Sequence, residues 1–236
     1  MLPMLLTLLV LTPCPQIRRM KRLLAPAVQE NPVFMHLTAP PLNASAVERA
    51  ALQMQAVGFE MIMFSFGSGF DLESTDPAYV RNITKIIKFA HEHGNIEVGA
   101  YDLIALSRHP PNASWSAIDP VTLKPEGNAC FASHWVDYLS KAVFNFISKS
   151  KLSAIETDGP YGGQPCANNH NHTNINLTGH EYHKGLGDSE YRQNTLQARF
   201  FSKLKNTGMY IHAPENYDYY GQSKSGMGCE FACAAA

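Results

Sequence analysis

The chain has 236 residues, 45% of them hydrophobic and 17% charged, with a formal net charge of −1. That length fits one large α/β domain or two small ones. The near-neutral balance excludes the charge footprint of a nucleic-acid binder or of a protein drawn to anionic membranes.

Residues 1–29 open with a mostly apolar run over 4–11, followed by Arg18, Arg19, Lys21 and Arg22. The run is too short to span a bilayer, so no transmembrane span is expected. It reads as a signal or anchor segment, or as a buried or displaced start, because no positive charge precedes it. Five glycosylation sequons begin at Asn43, Asn82, Asn112, Asn171 and Asn176. With five cysteines at 14, 130, 166, 229 and 233 they point to secretion or the secretory lumen. A Cys130–Cys166 disulfide would tie the start of a helix to the loop after the fourth strand, at roughly 3–4 kcal/mol in the chain-entropy model. Free buried thiols are the alternative.

A first strand is expected over 33–37, with His36 near its end facing a pocket or serving structure. A helix over 45–57 carries Val47, Ala50, Ala51, Met54 and Val57 at spacings of three and four, and Gly58 ends it. The run 59–66, FEMIMFSF, is a strand buried on both faces. Its exit loop, Gly67-Ser68-Gly69, lacks the third glycine or lysine of a phosphate loop. Asp76-Pro77 opens a helix with Val80, Ile83, Ile86, Ile87 and Ala90 inward. His91 and His93, two apart, diverge on a helix and suit its carboxyl end better than a metal. A third strand over 96–104 has Tyr101 and Asp102 near its carboxyl end. A polar, proline-containing loop over 108–126 and a helix over 132–149 follow.

The fourth strand begins at Leu152 and ends in Glu156 and Asp158, ahead of Gly159-Pro160-Tyr161-Gly162-Gly163. Side chains two apart share a strand face, and an acid at the carboxyl end of a parallel strand stands where α/β barrels build active sites. Asp158 is therefore the candidate catalytic carboxylate, with Glu156 behind it; a polar strand end capping the next turn is the competing reading. In the His-rich stretch 164–187, His170, His172, His180 and His183 have no regular scaffold and no cysteine at zinc-site spacing, so no metal is expected. A substrate-facing loop is expected instead, with Tyr161, His183 and Lys184 against sugar. Asp188 is the expected N-cap of a helix over 189–206. A fifth strand over 209–213 is followed at once by Glu215 and Asp218.

Strand and helix thus alternate about five times, at about 45–50 residues per unit, which implies parallel strands with right-handed crossovers. A doubly wound sheet and a barrel both fit; acids at successive strand ends favour a TIM-type (β/α) barrel with about five of eight units present. Residues 30–228 make that domain and 229–236 a tail.

In register, GFEMIMFSFGSGF, EVGAYDLI, IETDGPYGGQPC, HKGLGDSEYRQ and KSGMG resemble glycoside hydrolases of the α-galactosidase (melibiase) type, over about residues 30–228. The resemblance implies a (β/α)8 barrel, a carbohydrate substrate, retaining hydrolysis and no cofactor. It makes Asp158 the nucleophile and takes the acid/base from a later strand, near Glu215 and Asp218. Glu215 is preferred, with Glu230 the alternative if a sixth strand supplies it. His36, Tyr101, Asp102, Glu156, Tyr161, His183, Lys184 and Asp218 would contact substrate. Two other readings compete: a non-catalytic barrel fragment that binds sugar or nothing, and a metal-dependent hydrolase inhibited by chelator. Open strand edges are expected to invite self-association.

Overall fold

The computed structural model describes residues 34–41, 43–105, 113–159, 162–168 and 180–212. In chain order the elements are β1 (Phe34–Leu37), α1 (Ala44–Val57), β2 (Met61–Phe64), α2 (Pro77–Phe89), β3 (Glu97–Leu103), β4 (Ser116–Ile118), β5 (Pro125–Ala129), α3 (Trp135–Ser150), β6 (Ala154–Asp158), α4 (Leu186–Asn206) and β7 (Tyr210–His212). The parallel sheet runs β1-β2-β3-β6-β7, and β4 and β5 pair separately as an antiparallel ribbon.

Each strand of the large sheet lies beside the next in sequence. A doubly wound sheet reverses its order at a switch point, and none occurs among the described strands, which are singly wound. One face is mostly apolar, with Asp102 and Thr157 buried near its carboxyl end: Ile62, Phe64, Val98, Ala100, Ile155 and Ile211 pack on Val47, Met54, Ile83, Trp135, Phe146, Phe200 and Leu204 of the helices. The other face curls inward, where Met61, Met63, Ala154 and Tyr210 form a second cluster with Phe34. Curling brings the first and last strands together: the rings of His36 and His212 lie 6.5 Å apart, 9° from parallel. The described strands form a curved parallel sheet.

The helix stripes behave as their spacing predicts, except that Val57 at the end of α1 is 71% exposed. Asp76 caps α2 by accepting the Ala78 N–H at 2.8 Å, and Gly58 ends α1 in the left-handed region at φ 86°. His93 lies 3.3 Å from the Phe89 carbonyl oxygen and His91 3.1 Å from Glu97, in keeping with a capping role. Two expectations need correcting. The stretch read as one long loop contains the β4–β5 ribbon, seated by bonds from Ala129 N to Ala105 O (2.7 Å) and from Cys130 N to Trp115 O (2.8 Å). Asp188 is the third residue of α4 and not its N-cap; its carboxylate reaches back to accept from the N–H groups of Lys184 (2.8 Å) and Gly185 (3.1 Å). No helix among the described residues is long and apolar enough to cross a membrane. The segment boundaries near 29 and 228 lie outside the described residues.

Candidate functional site

Asp158 closes β6 at the carboxyl rim of the sheet and is half-buried. Its Oδ2 accepts a 2.9 Å hydrogen bond from the Tyr101 hydroxyl, and its Oδ1 accepts from the Gly159 N–H at 2.7 Å. Tyr101 pairs in register with Glu156, so its ring rises along the wall to reach the acid two residues on. Gly159 leaves the strand at φ 138°, and a Cβ there would sit 2.8 Å from Ile104 Cγ1; only glycine makes this exit without strain. Phe66, just past β2 and 69% exposed, stands edge-on to Tyr101 with ring centres 5.8 Å apart. The sequence motif ran through Phe66, and its signal was an aromatic between a strand end and a Gly-Ser-Gly loop.

Beneath Asp158, on the same inner face, lies a buried polar layer. Glu156 Oε1 is 3.1 Å from His36 Nε2 and 3.9 Å from His212 Nδ1. Glu156 Oε2, the Tyr210 hydroxyl and both ring nitrogens of His212 make no hydrogen bond among the described residues. Burial holds the His212 imidazole below its ordinary range; the charge of Glu156 opposes this and His36 adds to it. Burial and the Glu156 charge push Tyr210 up to about 12. Glu156 and His36 thus share the inner face of the sheet with Asp158.

Other expected contacts are not brought to this rim. Asp102 is 2% exposed and pairs with Thr157. Strand alternation puts it on the helix-facing side, opposite Tyr101, so the two do not line one cleft. His183 is likewise buried, while Lys184 is exposed at the entry to α4. Cys130 and Cys166 do meet, but as free buried thiols, which corrects the expected disulfide. They share their site with His180 and His183, all four ligating atoms lying within 4.8 Å of one another. The Cys130 thiol hydrogen-bonds to Cys166, and His180 and His183 add to this, so Cys166 is held far below the ordinary thiol range. That same bond, with burial, drives Cys130 far above it. Burial works against a charged His183, but Cys166, the Gly185 carbonyl and Asp188 together raise it. Tyr161, Glu215, Asp218, Glu230, His170 and His172 lie outside the described residues.

The loop leaving Asp158 is fastened to α4 by a buried polar stripe. Ser189, Gln193 and Gln197 recur at four along one helix face and are at most 1% exposed. Ser189 Oγ accepts from the Cys166 N–H (3.1 Å), and Gln197 Oε1 from the Gly162 N–H (2.8 Å). Gln193 donates to the Gln164 carbonyl (2.6 Å) and accepts from the Phe131 N–H (3.1 Å). Sequence reasoning missed the stripe, though its spacing of four was legible. A groove of about 620 Å³ opens between the carboxyl ends of α3 and α4, lined by Phe144, Ile147, Leu152 and Met209. It has no carboxylate in its wall, so hydrolytic chemistry is not placed there.

No protein-family model matches the chain, and no curated protein matches it. Solved structures do resemble it. The α-galactosidase from Lactobacillus brevis superposes with a TM-score of 0.54 at 16% identity, over 79% of this chain and 27% of that one. The GH36 α-galactosidase AgaA from Geobacillus stearothermophilus, in complex with stachyose, gives 0.53 at 13%, over 84% and 29%. The α-N-acetylgalactosaminidase NagBb from Bifidobacterium bifidum, in its GalNAc complex, gives 0.53 at 15%, over 75% and 30%. The chain therefore spans about a third or less of the length of these three proteins. At such identities the likeness establishes a glycoside hydrolase-like α/β fold.

Proposed function

We propose that the chain is a glycoside hydrolase of retaining, α-galactosidase-like type, built on an incomplete or completed (β/α) barrel, with Asp158 as nucleophile. One observation carries this reading: the acid closing the fourth strand of a singly wound parallel sheet holds a tyrosine hydroxyl on its carboxylate, at the rim where barrel enzymes act. Likeness to α-galactosidases in fold supports it.

In this mechanism Asp158 Oδ1 or Oδ2 attacks the anomeric carbon while a second carboxyl protonates the leaving oxygen. Water then resolves the glycosyl-enzyme with retention, which requires carboxyl groups about 5–5.5 Å apart. Glu215 is assigned the acid/base role, with Asp218 or Glu230 as alternatives. The Tyr101 hydroxyl fixes the orientation of the carboxylate. Phe66 offers an exposed aromatic surface for a sugar ring. No cofactor is required. Asn43 and Asn82, both exposed, support the proposed passage through the secretory route. β1 and β7 each have one sheet neighbour among the described residues, and the proposal extends to self-association at those edges.

The test is turnover of a panel of aryl α-glycosides by the purified protein beside Asp158→Asn. Hydrolysis with retention by the first, and loss of at least about a thousandfold in the variant, is the expected result. Equal turnover by both removes Asp158 as nucleophile. No turnover by either, with retained galactoside binding, favours the non-catalytic sugar-binding reading.

A further inference from the structure

We infer that Cys130, Cys166, His180 and His183 form a tetrahedral structural site for zinc or a divalent metal of the same borderline-soft class. The residues come from separate segments. Cys130 follows β5, Cys166 lies in the loop after Asp158, and the two histidines precede α4. All four are buried, and their ligating atoms lie within 4.8 Å of one another.

The hydrogen bonds around the cluster determine which nitrogens face inward. His180 Nε2 sits 2.7 Å from the Ser114 carbonyl oxygen, and His183 Nδ1 3.2 Å from the Gly185 carbonyl oxygen. A carbonyl only accepts, so each of these outer nitrogens carries the proton. In the neutral rings, His180 Nδ1 and His183 Nε2 are then bare lone pairs, and they face each other at 3.3 Å. Two lone pairs at that distance repel unless a proton on one ring or a metal ion lies between them. A backbone carbonyl on the far nitrogen is also the usual way a ligating imidazole is oriented.

Two of the distances come near those of a filled site. With metal–nitrogen bonds of about 2.0–2.1 Å, a tetrahedron has a nitrogen–nitrogen edge of about 3.3–3.4 Å, and with metal–sulfur bonds near 2.3 Å a sulfur–nitrogen edge of about 3.5–3.6 Å. The corresponding separations are 3.3 Å between the nitrogens and 3.8 Å from Cys166 Sγ to His180 Nδ1. The Ile118 N–H points at Cys166 Sγ from 3.5 Å, a donor suited to a thiolate. With a divalent ion bound both sulfurs are thiolates, and the two together cancel the metal charge. The filled site is neutral, which makes its burial affordable. Four protein ligands leave no open position, so the site is structural. It would staple the β4–β5 ribbon, the Asp158 loop and the entry of α4 at one point. This inference stands independently of glycosidase activity.

The experiment uses the full chain purified without chelator. Elemental analysis should find one zinc-class ion per chain. Exchange into cobalt(II) should give the intense visible bands of tetrahedral cobalt together with a near-ultraviolet thiolate charge-transfer band. Cys130→Ser and Cys166→Ser should each roughly halve the charge-transfer band, and His183→Ala should weaken cobalt retention at least tenfold. Chelator should make both buried thiols reactive and lower the melting temperature. The wild-type cobalt spectrum does not depend on any variant folding. A metal-free chain that gives no tetrahedral cobalt spectrum overturns the site, as does a mass lower by two hydrogens, which would mean a Cys130–Cys166 disulfide.

Discussion

The two faces of the parallel sheet are built on opposite rules. The outer face buries Ile62, Phe64, Val98, Ala100 and Ile155 against the helices. The inner face carries His36, Tyr101, Glu156, Asp158 and His212 along its upper half. Burying apolar area stabilises a fold wherever it occurs, whereas buried polar groups left without hydrogen bonds each cost about 1–3 kcal/mol. The outer face therefore holds the arc together, and the inner face draws on that stability to keep charged groups in place.

The contrast can be broken most strongly from the outer side. Phe64→Ala should cost about 3–5 kcal/mol, by loss of transfer energy and the cavity left behind, read as a shift in chemical denaturation. The exit of β6 comes next: Gly159→Ala forces a side chain into a left-handed backbone and against Ile104, and should cost about 1–3 kcal/mol. On the inner side, Tyr101→Phe should leave stability nearly unchanged but lower turnover about tenfold, an effect of about 1.4 kcal/mol for one hydrogen bond to a charged group; unchanged turnover would separate Tyr101 from the chemistry. The smallest effect is on pH. His212 is held low when folded, so the unfolded chain binds the extra proton first. Its contribution is complete above about pH 6.5 and is lost as pH falls from there toward the depressed folded value. Melting temperature should drop on acidification in that window, less so in His212→Phe.

Much of the outer face was legible in the sequence, because helix periodicity and apolar strand runs report burial directly. Ile83, Ile86 and Ile87 lie inward as their spacing requires, and strands β2, β3 and β6 fall within a residue or three of expectation. The β4–β5 ribbon was not legible: Pro-Glu-Gly-Asn-Ala has no strand propensity and is placed by backbone bonds to distant segments. On the inner face Asp158 and Glu156 were found from strand-end position and a spacing of two. The same alternation, applied to Tyr101 and Asp102, would have separated them. The Cys–His cluster has no linear signature, since folding alone brings Cys130 to the two histidines.

One amide on α4 has an effect beyond its own contacts. Gln193 grips the turn before α3 with its oxygen and the segment after Asp158 with its nitrogen, while Gly163 gives it clearance that no larger residue would leave. The helix consequently behaves like a latch bar across both loops. Sliding or tilting it would drag both, so substitutions well along α4 should register at the acid-bearing rim through leverage alone.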